Sequence, residues 1–186
     1  RTLDLRSLLA EMRLFKDATE IAIMKRAAQI SAGAHVRAMQ RTRPGMHEYE
    51  IEAELLHEFR RHGAQAEPFN STVARGANAC VLHYRAGDAV LQDGDLLLID
   101  AGCELDSYAS DITRTYPVNG RFTGPQRALY DLTVAAQDAA AALTRPGAHW
   151  NEGHEAAVRV LAQGMIDEGL LTGTLDGVIE SQQYTR

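Results

Sequence analysis

The sequence predicts an α+β fold, with helices and antiparallel strands in separate runs along the chain. Three observations carry this. Two stretches of helical periodicity, residues 17–43 and 47–62, come before any strand-like run. Extended segments then cluster between residues 68 and 118, ending in the apolar run "LLLIDAG" and the stretch "SYASDITRTYPV". Finally, the break "TRPGMH" at Thr42 returns as "TRPGAH" at Thr144, an offset of 102 residues, again between two helical stretches.

Residues 1–16 read as a lead-in from a preceding domain. Asp17 opens the first helix, with Glu20 three residues on as the partner of a capping box. Ile21, Met24, Ala28, Ala32, His35 and Met39 recur at helical spacing and are its expected apolar face. Arg43-Pro44-Gly45 ends it, because proline lacks the N–H that a helix needs. In the second helix Ile51, Leu55 and Phe59 form the stripe, and Gly63 is the stop.

"PFNSTVA" and "NACVLHYRA" read as β-like segments separated by "RGA", and Asp93-Gly94-Asp95 as a turn. "LLLIDAG" and "SYASDITRTYPV" read as paired strands, closed by Asn119-Gly120. Thr123, with Pro125 and Gln126 behind it, opens a third helix carrying Leu129, Leu132, Ala136, Ala140 and Leu143. The alanines between 135 and 142 suggest a close helix–sheet contact. A fourth helix spans about 149–168, with Gly169 as its stop.

The repeated break favours an internal duplication over convergent turn chemistry, since five of six residues match in matching context. The units would be about 17–120 and 121–186. Only the first contains strands, and the counterpart of Asp100 would fall beyond residue 186. A fold of two like halves would then be cut inside its second half. Arg1 in place of Met points the same way, to a piece of a longer chain.

Bulk properties exclude several classes. The net charge of -6 argues against a nucleic-acid partner, which needs a concentrated basic face. No apolar run approaches the roughly 20 residues of a membrane span. Cys80 and Cys103, with no CxxC, fit free thiols in a reducing, cytoplasmic setting. There is no P-loop, GxGxxG or GxSxG.

Asp100 ends an apolar strand, and Asp111 lies inside the next extended stretch. With a tight hairpin turning at Leu105-Asp106, the two stand directly opposite on one face. Like charges there repel. A shared proton, a basic partner or a cation would relieve them. Arg114 is near in sequence but alternates to the other face. On spacing alone, the two aspartates read first as caps of turns at strand ends. His83 in "VLHYR" reads first as a core histidine. His35, His47, His57, His62, His149 and His154 are expected to face solvent or cap turns.

Longer stretches are more specific. "EMRLFKDATEI", "NACVLHY", "DGDLLLIDAGCE", "SYASDITRTYPVNGRFTGPQRALYDL" and "TRPG" together closely resemble the Xaa-Pro aminopeptidases, which belong to the pita-bread metallopeptidases. The resemblance covers nearly the whole chain. It implies an incomplete pita-bread fold, holding the first helix-and-sheet half and the two helices of the second. It implies two divalent metal ions, Mn foremost and Zn or Co as alternatives, held by five side chains. Asp100 matches a chelating aspartate on one metal, and Asp111 matches one that bridges both. The other ligands, a His and two Glu, belong in that family to a region beyond the fourth helix. His83 matches an active-site histidine that is not a ligand and donates a hydrogen bond near the scissile bond.

The implied activity is release of the N-terminal residue from peptides with proline second, by a cytoplasmic homo-oligomer with no nucleic-acid or membrane partner. The isolated chain, short of three ligands, is expected to be inactive. A prolidase-type Xaa-Pro dipeptidase is one alternative. A non-catalytic pita-bread module that binds peptides or proteins is another, though retention of Asp100, Asp111 and His83 argues against it.

Overall fold

A computed structural model describes residues 4–185. The chain divides into two compact units, one ending at Arg121 and one starting at Phe122. Residues 1–3 of the predicted lead-in, and Arg186, lie outside the described residues. The rest of the lead-in contains a helix, α1 (Arg6–Leu14), with Leu8, Leu9 and Met12 exposed.

Helix α2 spans Ala18–Arg41. The Asp17 carboxylate accepts from the Glu20 N–H at 2.9 Å, and the Glu20 carboxylate accepts from the Asp17 N–H at 2.7 Å, which starts the helix as its capping pattern predicts. Its buried face is not the expected one. Ala27, Ile30, Ser31, Ala34, His35 and Ala38 are buried, whereas Ile21, Met24 and Met39 are exposed. The reason is steric: a face of alanine and serine lets the helix axis come close to its neighbours, and bulkier residues are turned outward. Of the expected stripe only His35 is buried, a residue that was also expected to face solvent or cap a turn.

Helix α3 (Glu48–Arg61) buries Ile51, Leu55 and Phe59, as predicted. Gly63 stops it at φ +92°, a left-handed conformation that favours glycine.

Three strands form an antiparallel sheet in the order β1 (Thr72–Arg75), β2 (Leu96–Ala101), β5 (Ile112–Pro117). A small ribbon pairs β3 (Glu104–Leu105) with β4 (Tyr108–Ala109). Val73, Leu97, Ile99 and Ala101 share one core with the buried faces of α2 and α3. The predicted strand "NACVLHYRA" is instead a 3₁₀ turn (Gly76–Cys80) followed by irregular chain. Its backbone bonds are local, such as Val81 N–H to Asn78 O at 3.0 Å, and form no ladder.

The stretch "SYASDITRTYPV" is split at Ser110–Asp111 into β4 and β5. Ser110 Oγ accepts from the Cys103 N–H at 3.0 Å and lies 2.7 Å from Ser31 Oγ, which anchors the break to α2. The ribbon turns at Asp106-Ser107, both at positive φ (48° and 69°), not at Leu105-Asp106. That moves the register by two residues, so Asp100 faces Thr113 rather than Asp111.

In the second unit α4 (Gly124–Leu143) is capped by Thr123 and Gln126, followed by α5 (Trp150–Asp167) and α6 (Leu175–Glu180). The alanine-rich part of α4 meets a helix, not a sheet: a Cβ on Gly153 of α5 would stand 3.4 Å from Ala140 O. The two TRPG breaks use the same local devices. Thr42 Oγ1 donates to Ala38 O and Thr144 Oγ1 to Ala140 O. Gly45 and Gly147 sit at φ +91° and +89°. The backbone N–H of His47 donates to Glu50, and that of His149 to Glu152.

Candidate metal centre

β2 alternates as a half-buried strand must, with Leu97, Ile99 and Ala101 turned to the core and Asp100 to the opposite face. There Asp100 lies between Thr72 of β1 and Thr113 of β5. Thr113 Oγ1 donates to Asp100 Oδ1 at 2.8 Å. Asp111, two residues before Thr113, falls on the same side by the two-residue period. Arg114 pairs with Ile99 and so stands on the other face, as its spacing predicts.

The two carboxyl groups act on one another. Partial burial pushes the Asp111 carboxyl above its ordinary value of 3.8, followed by the charge of Asp100 and by hydrogen-bonding contact with it. Both line a cleft of about 530 Å³, together with Phe69, Asn70, Thr72, His83 and Arg85. His83, read from its neighbours as a core residue, is exposed at φ +52°. Behind the site, burial holds the His35 imidazole below its usual range, while the Ala101 and Ile112 backbones pull the other way. Neither ring nitrogen makes a well-formed hydrogen bond.

Two convergent carboxylates are hard oxygen donors, and their mutual repulsion is what a divalent cation relieves. The pair therefore fits part of a metal-ligand set. Among the described residues, no three His, Cys, Asp or Glu come together as a metal-sized cluster. Thr113 was missed from the sequence, although strand alternation from Asp111 would have found it. Glu48, which braces the segment carrying His83, was missed for want of any local signal.

A cleft holding two neighbouring carboxylates suits a divalent ion, and this chain belongs to metallopeptidase family M24, whose sequence pattern matches residues 22–184. Over 182 residues it is 52% identical to the Xaa-Pro aminopeptidase of Haemophilus influenzae, covering 98% of this chain and 42% of that protein. It is 48% identical to the Xaa-Pro aminopeptidase of Escherichia coli, covering 98% and 41%. The structure of Pseudomonas aeruginosa aminopeptidase PepP superposes with a TM-score of 0.96 at 53% identity, covering 98% of this chain and 41% of that one. The elements described above are thus part of a pita-bread fold. The chain spans about two fifths of the length of these relatives.

Proposed function

We propose that this chain supplies the aspartate half of the catalytic centre of an Xaa-Pro aminopeptidase, which removes the N-terminal residue from peptides with proline in second position. One observation carries the reading: a chain 52% identical to such an enzyme places Asp100 and Asp111 in one cleft with His83. Neither the prolidase alternative nor the non-catalytic one is favoured by the relatives found.

Asp100 would hold one divalent ion and Asp111 would bridge two, with Mn the expected metal and Zn or Co able to replace it. Ions held there supply Lewis acidity and a water that ionises near neutral pH. The Thr113 hydroxyl fixes the rotation of the Asp100 carboxylate. His83 directs a ring N–H at the carbonyl oxygen preceding proline and stabilises the charge that develops on it. Phe69 walls the cleft on an apolar side.

Two carboxylates leave most positions around two ions open, so the 186-residue chain should bind metal weakly and turn over no substrate. The reading includes a cytoplasmic protein, supported by two unpaired thiols, and a homo-oligomer, supported by the exposed apolar side chains of α1. No described helix is long and apolar enough to cross a membrane. The matching breaks at Thr42 and Thr144 are read as the joints of duplicated halves.

The test is release of the N-terminal residue from an Xaa-Pro peptide with Mn present, using this chain beside one of the relatives' length. Cleavage by the longer chain alone, lost in Asp111→Ala, supports the reading. Cleavage by the short chain overturns the account of its ligands, and no cleavage by either overturns the activity.

A further inference from the structure

Glu48 is the first residue of α3 and is 0% exposed, yet no cation pairs with it among the described residues. Its carboxylate is held by four neutral donors. Oε1 accepts from the Arg75 backbone N–H and from Asn78 Nδ2, both at 2.9 Å. Oε2 accepts from the Tyr84 hydroxyl at 2.8 Å and from the Gly87 backbone N–H at 3.1 Å. A carboxylate has about four lone-pair sites, so this one is saturated. The first turn of a helix is also where negative charge is favoured, because its N–H groups point outward.

The donors come from residues 75, 78, 84 and 87, two before His83 in the chain and two after it. Beyond Arg75, which ends β1, that segment has no strand ladder to hold it. Beyond Arg75 its own backbone bonds are short-range, and His83 stands at φ +52°, a left-handed conformation that a non-glycine residue keeps only where its surroundings hold it. The Glu48 N–H also donates to Ala89 O, and the Tyr49 N–H to Gly87 O, so one helix end gathers the whole segment. The bond to Glu48 is the largest cause holding the Tyr84 phenol above its ordinary range.

We propose that Glu48 is a positioning residue for this site: by clamping both flanks of the 75–87 segment to the start of α3, its carboxylate sets where His83 stands in the Asp100–Asp111 cleft. This rests on His83 being the group that meets substrate. Glu48 itself touches neither substrate nor metal.

Glu48→Gln keeps one oxygen for Arg75 and Asn78 but turns an N–H₂ toward Tyr84 and Gly87, so it breaks one half of the clamp. Tyr84→Phe removes a single donor and leaves α3 untouched. In the 186-residue chain, amide exchange at Gly87 should speed by about tenfold or more in Glu48→Gln, with core amides of Leu55 and Leu97 unchanged. The His83 ring resonances should shift in both variants. In a chain of the relatives' length, kcat on an Xaa-Pro peptide should fall by about tenfold with KM within about twofold, as for a group that acts only in the transition state. Uniform acceleration across the core would make Glu48 a stability residue only, and unmoved His83 resonances would overturn the proposal. If the unsubstituted long chain cleaves nothing, the functional reading fails, and the exchange and resonance data still decide Glu48.

Discussion

Thr113 and Asp100 are cross-strand partners on β5 and β2, and the hydroxyl of the first donates to Oδ1 of the second at 2.8 Å. A carboxylate turned by such a bond offers its other oxygen in a fixed direction, which is what a metal ligand requires. Thr113→Val keeps the β-branched shape and deletes the donor. In a chain of the relatives' length, Mn affinity should fall about tenfold, the lower end for loss of a supporting hydrogen bond. Since Thr113 is exposed, stability should change by less than about 0.5 kcal/mol. Calorimetric Mn titration beside a thermal melt separates the two. Unchanged affinity would mean that Asp100 is oriented by something else.

Asp111 bears the repulsion of Asp100, and its carboxyl is raised above 3.8 by burial first and by that charge second. A carboxyl raised on folding favours the folded state while protonated, below its ordinary value. That contribution is lost as pH climbs through the raised value. Without metal, Asp111→Asn should therefore melt higher than the parent at pH 7, with the gap closing toward pH 3. Added divalent ion should reverse the order, because it relieves the pair in the parent and finds one carboxylate fewer in the variant. Equal responses of the two proteins to the ion would remove Asp111 from the ligand set.

Gly102 follows Asp100 by two residues and permits a close approach. A Cβ there would lie 1.8 Å from Ser110 O and 2.8 Å from Ser110 C, both backbone atoms that cannot swing aside. Gly102→Ala should push the Ser110–Asp111 break away from β2 and destabilise by about 3 kcal/mol, the upper range for overpacking. Urea unfolding of the two proteins measures it. A loss under about 1 kcal/mol would mean that the break yields easily.

What could be read from the sequence follows from how far each determinant reaches. The stripe of α3 and the caps at Asp17 and Thr123 depend on neighbours three or four residues away, and those were legible. The shared face of Asp100 and Asp111 was legible too, because a register shifted by two preserves strand alternation. The turn itself was not, since Asp106-Ser107 is no favoured pair for two left-handed residues. The α2 face was hidden because alanine carries little hydrophobic signal, and what it packs on lies far along the chain. The segment around His83 has strand-like composition, but Glu48 decides its shape from 27 to 39 residues away.

Tyr116 is held in the core edge with its hydroxyl 2.8 Å from Thr42 Oγ1, and burial pushes its phenol from 10.0 up to about 12. Its contribution to stability is intact below pH 10 and is lost as pH rises toward the folded value, because the unfolded chain ionises first. That rise corresponds to about 2.7 kcal/mol. Tyr116→Phe forfeits about 1 kcal/mol at neutral pH with the hydrogen bond, yet has no phenol to ionise. The stability curves of the two proteins should therefore cross between pH 10 and 12, read by urea unfolding across that range. Parallel curves would show that Tyr116 ionises as freely in the folded state as in the unfolded one.

The packing of α2 gives the last prediction. Ala34 is fully buried, while Met24, one of the larger side chains on the same helix, is 40% exposed. Hydrophobicity alone ranks Met24 as the core residue, and burial ranks Ala34. Ala34→Leu adds three carbons where the helix has no room and should destabilise by about 1–3 kcal/mol. Met24→Ala should stay within about 0.5 kcal/mol, since an exposed side chain leaves no cavity when shortened. The same urea titration ranks the two variants. If Met24→Ala is the more damaging, α2 is rotated about its axis, and the buried contact of Ser31 with Ser110 next to Asp111 goes with it.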